Sequence, residues 1–227
     1  MKTEYQYFEK QYYNLYLKGL NSWQDDLTWK NNRNSFIELI EKSYFPKSGN
    51  LIELGCGDGR NTLFFANRGY NSYGIDISMT ALELADKKAT ENGLKAEFIN
   101  DNVISMKKIA SNFFDVVIDG SCFHCILNDD RKLFLQSVFR ILKNGGFCQF
   151  RSICGEMTDE EIIQYYDIET QNVINLDDDN FQYFHQGFAN DIINEVKKAG
   201  FKVLNTQILD REPVGDCDFI IIDAVKD

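Results

Sequence analysis

Gly55, Gly57 and Gly59 alternate in the segment LIELGCGDGRN, and carboxylates flank them at Glu53 and Asp58. Further acids follow at Asp76, Asp101 and Asp119, and the run after the last of these, DGSCFHC, brings His124 among cysteines. Closely spaced glycines let the backbone adopt left-handed conformations and approach a bound molecule. Carboxylates can accept from hydroxyl or amino groups or offset a cation, and an imidazole near neutral pH can take a proton from a nucleophile. The combination suits a glycine turn that captures a nucleoside-like molecule, with a base close by.

The charge of the turn narrows the choice of ligand. A dinucleotide pyrophosphate rests against backbone N–H groups at a helix start, where Glu53 and Asp58 would oppose it. S-adenosylmethionine has no phosphate. Its ammonium and sulfonium suit those carboxylates, while N–H groups of the turn can serve its carboxylate. The strict G-x-G-x-G spacing also departs from the G-x-G-x-x-G of nicotinamide-binding loops.

Such residues need strand ends to hold them. Asn50–Leu54 reads as a buried strand, Arg60–Asn67 as a helix and Asn71–Ile75 as a second strand. Ser78 caps a helix running to Asn92, which Gly93 ends, and Lys95–Asn100 and Phe114–Ile118 supply two more strands. Asp129–Leu142 has helical spacing with Leu133, Phe134, Val138, Ile141 and Leu142 inward, and Gly145-Gly146 separates it from strand Phe147–Ile153. Helix Asn190–Ala199 precedes strands Phe201–Ile208 and Asp218–Val225, which are close enough for an antiparallel hairpin. This alternation predicts an α/β fold: a Rossmann-like, doubly wound, mostly parallel seven-stranded sheet with an antiparallel final strand and helices on both faces. Ligands then belong at the carboxyl ends of the strands.

Two segments stand outside the rhythm. Residues 1–48 contain an aromatic amphipathic helix over Tyr5–Leu20 and a second helix over Asn34–Tyr44, giving a helical cap on a domain of residues 49–227. Residues 154–186, acidic and aromatic, read as an insertion over the sheet edge that acts as a lid. Tyr16, Trp23, Phe123 and Tyr165 are the candidate lid and acceptor contacts, with Tyr166, Phe181 and Phe184 nearby.

ELGCGDGRN, YGIDIS, FDVVIDGSCFHCI and ILKNGGF occur in this order and resemble successive motifs of the class I S-adenosylmethionine-dependent methyltransferases over residues 50–153. Asn144 stands where the family often has proline, which concerns only a turn. The resemblance implies S-adenosyl-L-methionine as cofactor and S-adenosyl-L-homocysteine as product. It implies cofactor contacts at Glu53, Gly55, Cys56, Gly57, Asp58, Gly59, Asn61, Asp76, Ile77, Asp101, Asn102, Val103, Asp119, Gly120 and Ser121. In it Asp76 accepts from the ribose hydroxyls, Asp101 from the adenine amino group, and Asn102 offers a backbone N–H to the ring, with Ile77 and Met79 packing on it. Asp76 as a cap ahead of Ser78, and Asp101 as an ordinary loop acid, remain open alternatives. Arg60 either reaches the cofactor carboxylate or is solvated. His124 is the candidate base; the bland reading is a histidine that satisfies a backbone carbonyl.

Composition bounds the partners. With a net charge of −11 and no basic stripe, nucleic acid is not expected as a substrate. No apolar run approaches a membrane span, so the expected place is the cytoplasm, without membrane contact. Six cysteines, mostly in apolar runs, read as reduced and structural, and their spacing predicts no metal. A homodimer is left open. The expected reaction is methyl transfer to a small-molecule acceptor; a protein acceptor, or cofactor binding without transfer, are the alternatives.

Overall fold

The computed structural model describes residues 5–20, 22, 26–177, 182–209 and 218–227, with the side chains of 26–29, 31 and 32 outside the description. Strand β1 (Asn50–Leu54) lies near the centre because its run Leu-Ile-Glu-Leu is buried on both faces. It pairs in parallel with β2 (Asn71–Asp76) on one side and β4 (Phe114–Asp119) on the other. Strand β3 (Ala96–Asn100) lies beyond β2, and β5 (Leu142–Cys154) beyond β4. The hairpin of β9 (Phe201–Leu209) and β10 (Asp218–Lys226) completes the seven-stranded order β3-β2-β1-β4-β5-β10-β9, with β10 antiparallel to both neighbours.

Helices cover both faces, as the alternation of side chains requires. Ile52, Leu54 and Val117 point into one core with Phe134 and Val138 of α5 (Asp130–Ile141) and Ile192 and Val196 of α6 (Ala189–Lys198). Leu51, Val116 and Ile118 point into the other, with Phe36 and Leu39 of α2 (Asp26–Glu41) and Phe64 and Phe65 of α3 (Arg60–Ala66). Helix α4 (Met79–Glu91) starts where expected, with Ser78 Oγ accepting from the Ala81 N–H at 3.0 Å.

Three expectations need correction. Leu133 is not inward but 47% exposed, because the buried stripe of α5 runs through Phe134, Leu135, Val138 and Ile141. Strand β5 begins at Leu142 and runs through the glycine pair; its register against β4 shifts between Phe114 and Val116, which accommodates the extra residues. The insertion does not sit on a lateral edge of the sheet. It folds into a small antiparallel sheet of β6 (Tyr166–Asp167), β7 (Asn172–Asn175) and β8 (Gln182–His185), joined to the end of β5 by a bridge between Cys154 and Gly187. There β8 packs on β5 and on the 3-10 turn Phe123–Cys125. The other appendage, α1 (Tyr7–Leu17), packs against α4, where Glu9 accepts from the Thr80 hydroxyl at 2.7 Å and the Thr80 N–H at 3.3 Å.

Candidate active site

One cavity of about 630 Å³ opens at the carboxyl ends of β1, β2, β4 and β5. Its polar end is the glycine turn. Gly57 has φ +50°, and a Cβ there would run into the hydroxyl of Tyr12, so α1 lays this tyrosine directly over the turn. Asp76, at the end of β2, is 7% exposed and borders the cavity. Its Oδ2 accepts from the Gly57 N–H at 2.8 Å and its Oδ1 from the Ser78 N–H at 2.9 Å. Each oxygen keeps a further lone pair, so local capping leaves room to accept from a ligand.

Glu53 lies deeper, 1% exposed. Its oxygens accept from Asn61 Nδ2 at 2.8 Å, the Thr62 N–H at 2.7 Å and Thr62 Oγ1 at 2.5 Å, which seals the first turn of α3. Burial nevertheless pushes its carboxyl up to about 8. Gly120 makes room for it: a Cβ at that position would lie 2.6 Å from Glu53 Oε1. Asp58 pairs with Arg60 at 3.2 Å and with Lys88, so its charge is offset within the loop, and Arg60 is neither solvated nor directed only at the cavity. Of the carboxylates around the turn, Asp76 therefore has acceptor capacity to offer a polar ligand, while Glu53 borders the same cavity from deeper in.

The cavity gathers Glu53, Gly55, Cys56, Gly57, Asp58, Asn61, Asp76, Ile77, Asn102, Val103, Gly120, Ser121 and His124 from the sequence-derived set. Others stay away from it. Gly59 faces Ala85 and Phe98, an approach that packs α4 and β3 on the loop. Asp101 holds the Asn102 and Lys108 N–H groups, each at 2.8 Å, and does not line the cavity. Asp119 is fully buried and accepts from the backbone of Cys122, Phe123 and Arg151. It shapes the turn after β4, and burial raises its carboxyl to about 6.

Among the proposed lid residues, Phe123 is a core side chain, stacked on Phe134 at 5.2 Å and covered by Arg131. Tyr16 and Tyr165 are 57% and 39% exposed and outside the lining, as is Met79 at 51%. Trp23 and Phe181 fall outside the described residues. From the two appendages, the aromatics that do reach the cavity are Tyr5, Phe8 and Tyr12, on one stripe of the N-terminal segment, with Tyr183 and Phe184 from β8. The 5, 8, 12 spacing was visible; what was not visible is that the helix overhangs the cavity before Tyr16.

Sequence reasoning missed the far chamber. Arg151 and Ile153 of β5, Phe219 and Ile221 of β10 and Leu209 of β9 share one sheet face there, next to Ile162 of the insertion. Period-two alternation in QFRSIC could have singled out Arg151. It is 5% exposed and donates to Ser35 Oγ at 2.9 Å. His124 stands between this chamber and the turn, its ring edge-on to Phe219 at 5.7 Å. Nearby thiols are not thiolates: burial pushes Cys125 up to about 12 and Cys122 and Cys56 up as well. Among the described residues no three His, Cys, Asp or Glu side chains stand together as metal ligands.

Comparison with known proteins agrees with this geometry. Residues 52–150 match the family profile described as a methyltransferase domain. These residues form a methyltransferase domain of the class I S-adenosylmethionine-dependent family. An uncharacterized methyltransferase of Schizosaccharomyces pombe is 36% identical over 92 residues, 40% of this chain and 63% of that one. The 2-heptyl-1-hydroxyquinolin-4(1H)-one methyltransferase of Mycobacteroides abscessus is 31% identical over 109 residues, 48% of this chain and 47% of the relative. The chain thus spans less than two thirds of the length of either relative. In fold, the chain resembles the Burkholderia thailandensis 1,6-didemethyltoxoflavin-N1-methyltransferase, solved with 1,6-didemethyltoxoflavin and S-adenosylhomocysteine bound. The TM-score is 0.70 at 16% identity, over 96% of this chain and 87% of that one.

The family's cofactor can be tested against the residues present. Its diol needs acceptors, its base an apolar slot, and its amino acid end backbone N–H groups and a carboxylate. The cavity supplies Asp76, then Ile77 and Val103, then the turn with Glu53, in that order. The residues fit the group.

Proposed function

We propose that the chain transfers the methyl group of S-adenosylmethionine to a small-molecule acceptor with a largely apolar body. The observation that carries this reading is the continuity of one cavity from the Asp76–Gly57 cradle to the apolar chamber of Ile153, Leu209, Phe219 and Ile221. A cofactor at the cradle and an acceptor in the chamber then meet beside His124. Enclosed, mostly apolar pockets of this size suit small ligands.

When bound, the cofactor supplies a methyl carbon that already carries a good leaving group. Alignment and exclusion of water are then the main tasks left to the protein. In this reading Asp76 accepts from the ribose hydroxyls, Ile77, Asn102 and Val103 border the adenine, and the turn with Glu53 and Asn61 holds the amino acid end. Asp101 and Asp119 shape the loops that carry these groups, and Asp58 braces the turn. His124 takes the acceptor's proton as its heteroatom bonds to carbon. Residues up to 48 act as the helical cap, with α1 over the turn, and residues 154–186 close the chamber. Buried free cysteines suit a reducing compartment, and the cytoplasm belongs to this reading.

Calorimetry with S-adenosylhomocysteine tests the cradle, and labelled-methyl transfer across a metabolite extract tests the chamber. Saturable binding with transfer to a small apolar acceptor is the expected result. Absence of binding, or label found on protein alone, sinks the proposal.

A further inference from the structure

On the outer side of the glycine loop, α2, α3 and α4 enclose a second concavity of about 430 Å³. Four cations converge on it, Arg33, Arg60, Arg68 and Lys88, accompanied by the amides of Asn67 and Asn92. Among the described residues no carboxylate lines it, although the chain as a whole carries a charge of −11. The convergence is invisible in sequence because the four come from separate elements.

The groove is shaped rather than merely charged. The Arg68 guanidinium lies over the Phe64 ring at 3.5 Å and donates to the Phe64 carbonyl at 3.0 Å, which fixes its plane. Burial and the neighbouring Arg33 both lower the Arg68 pKa, so two like charges are held close enough to repel. From the cavity side Asp58 meets Arg60 and Lys88, so two of the four cations are shared between the groove and the loop. Guanidinium forks match phosphate oxygens two at a time, and amide N–H groups can serve the rest.

We propose that this groove binds the phosphate or diphosphate group of a small molecule, at a site separate from the cofactor cavity. Asp58 and Arg60 form the wall between the two sites, and both residues also line the cavity. An anion that draws on Arg60 and Lys88 competes with Asp58 for them and so reaches the cofactor loop.

The test is calorimetry of the full chain, saturated with S-adenosylhomocysteine so that the cavity is filled, against inorganic phosphate, pyrophosphate and a nucleoside diphosphate. Should S-adenosylhomocysteine not bind, the same titrations on the chain alone still decide the groove, so the two readings fail separately. One saturable pyrophosphate site is expected, weakened about tenfold by Arg68→Gln and likewise by the exposed Arg33→Gln, with S-adenosylhomocysteine affinity unchanged. Clearly tighter binding of the nucleoside diphosphate would identify a nucleotide as the source of the group, and equal binding a simpler phosphate ester. The proposal is overturned if pyrophosphate shows no saturation up to about 10 mM, or binds the Arg33→Gln/Arg68→Gln double variant as it binds the parent chain.

Discussion

The carboxylate of Asp76 holds the backbone of Gly57 across the gap between β2 and the glycine turn, N–H to Oδ2, at 2.8 Å. A second N–H, from Ser78, reaches its other oxygen. Asp76→Ala therefore removes two structural hydrogen bonds as well as the proposed diol acceptor. Hydrogen bonds to a charged group contribute about 1.5–3 kcal/mol each, so loss of the diol contacts alone weakens S-adenosylhomocysteine binding by on the order of 10²-fold or more. Calorimetry checks this, and affinity within threefold of the parent's would remove Asp76 from the cradle.

Glu53 should make both stability and affinity depend on pH. Its folded pKa, about 8, lies above the ordinary 4.5, so its contribution to stability is complete below about 4.5 and is lost as pH rises through 8. Glu53→Gln should flatten that slope in denaturant titrations between pH 5 and 8, a range chosen to lie within these values. If a ligand ammonium favours the ionised carboxylate, binding releases a proton and affinity climbs with pH up to about 8. A cofactor affinity with the same pH slope in parent and Glu53→Gln would contradict the placement.

Arg131 anchors the turn that carries His124. It is 3% exposed, meets Glu195 at 2.7 Å, and donates to the Phe123 and Ile126 carbonyls at 2.9 and 3.2 Å. Glu195 is 35% exposed, so solvent screens that pair, and the larger loss is the two carbonyls left without their donor, about 1–3 kcal/mol each. Arg131→Met should lower the unfolding midpoint strongly and slow methyl transfer more than it weakens cofactor binding, as read by denaturation and steady-state kinetics.

His124→Ala separates base from binder. If the imidazole takes the acceptor's proton, kcat falls by about 10²–10⁴-fold while S-adenosylhomocysteine affinity holds. An unchanged kcat assigns the transfer to alignment alone.

His185 gives a contrasting case. It is 6% exposed, hydrogen-bonded through Nδ1 to Asn172 Oδ1 at 3.1 Å, and burial lowers its pKa to about 3. A depressed histidine contributes stability above its ordinary 6.5 that is lost as pH falls toward 3. His185→Gln should therefore reduce the acid sensitivity of unfolding below pH 6.5.

The strand ends were legible because short apolar runs between glycines leave few other readings: β1 matches its expected span of Asn50–Leu54, and Ser78 caps α4 as its side chain suggested. Asp76 ends β2 and borders the cavity, as its place in the sequence led one to expect, and it also makes the local capping contact to Ser78. What the sequence concealed was pairing. Asp58 looked like a charge for the ligand, yet Lys88, thirty residues away, takes part of it. Asp101 was expected to face an adenine amino group, with an ordinary loop acid as the alternative, and its carboxylate accepts from two backbone N–H groups of its own loop. The far chamber needed the β5–β10 register, which brings Arg151 beside Ile221, and no local pattern encodes that long-range pairing.

Helix α1 stretches across the cavity, yet none of its residues from Tyr7 to Leu17 is fully buried. The contacts that hold it include Tyr5 on Asp130 at one end and Glu9 on Thr80 farther along. In the proposed reading, cofactor and spent product pass Tyr12 only when the helix lifts off these contacts. The turnover clock would be kept by this hinged bar rather than by bond making, and kcat would slow in viscous solvent and quicken in Glu9→Ala.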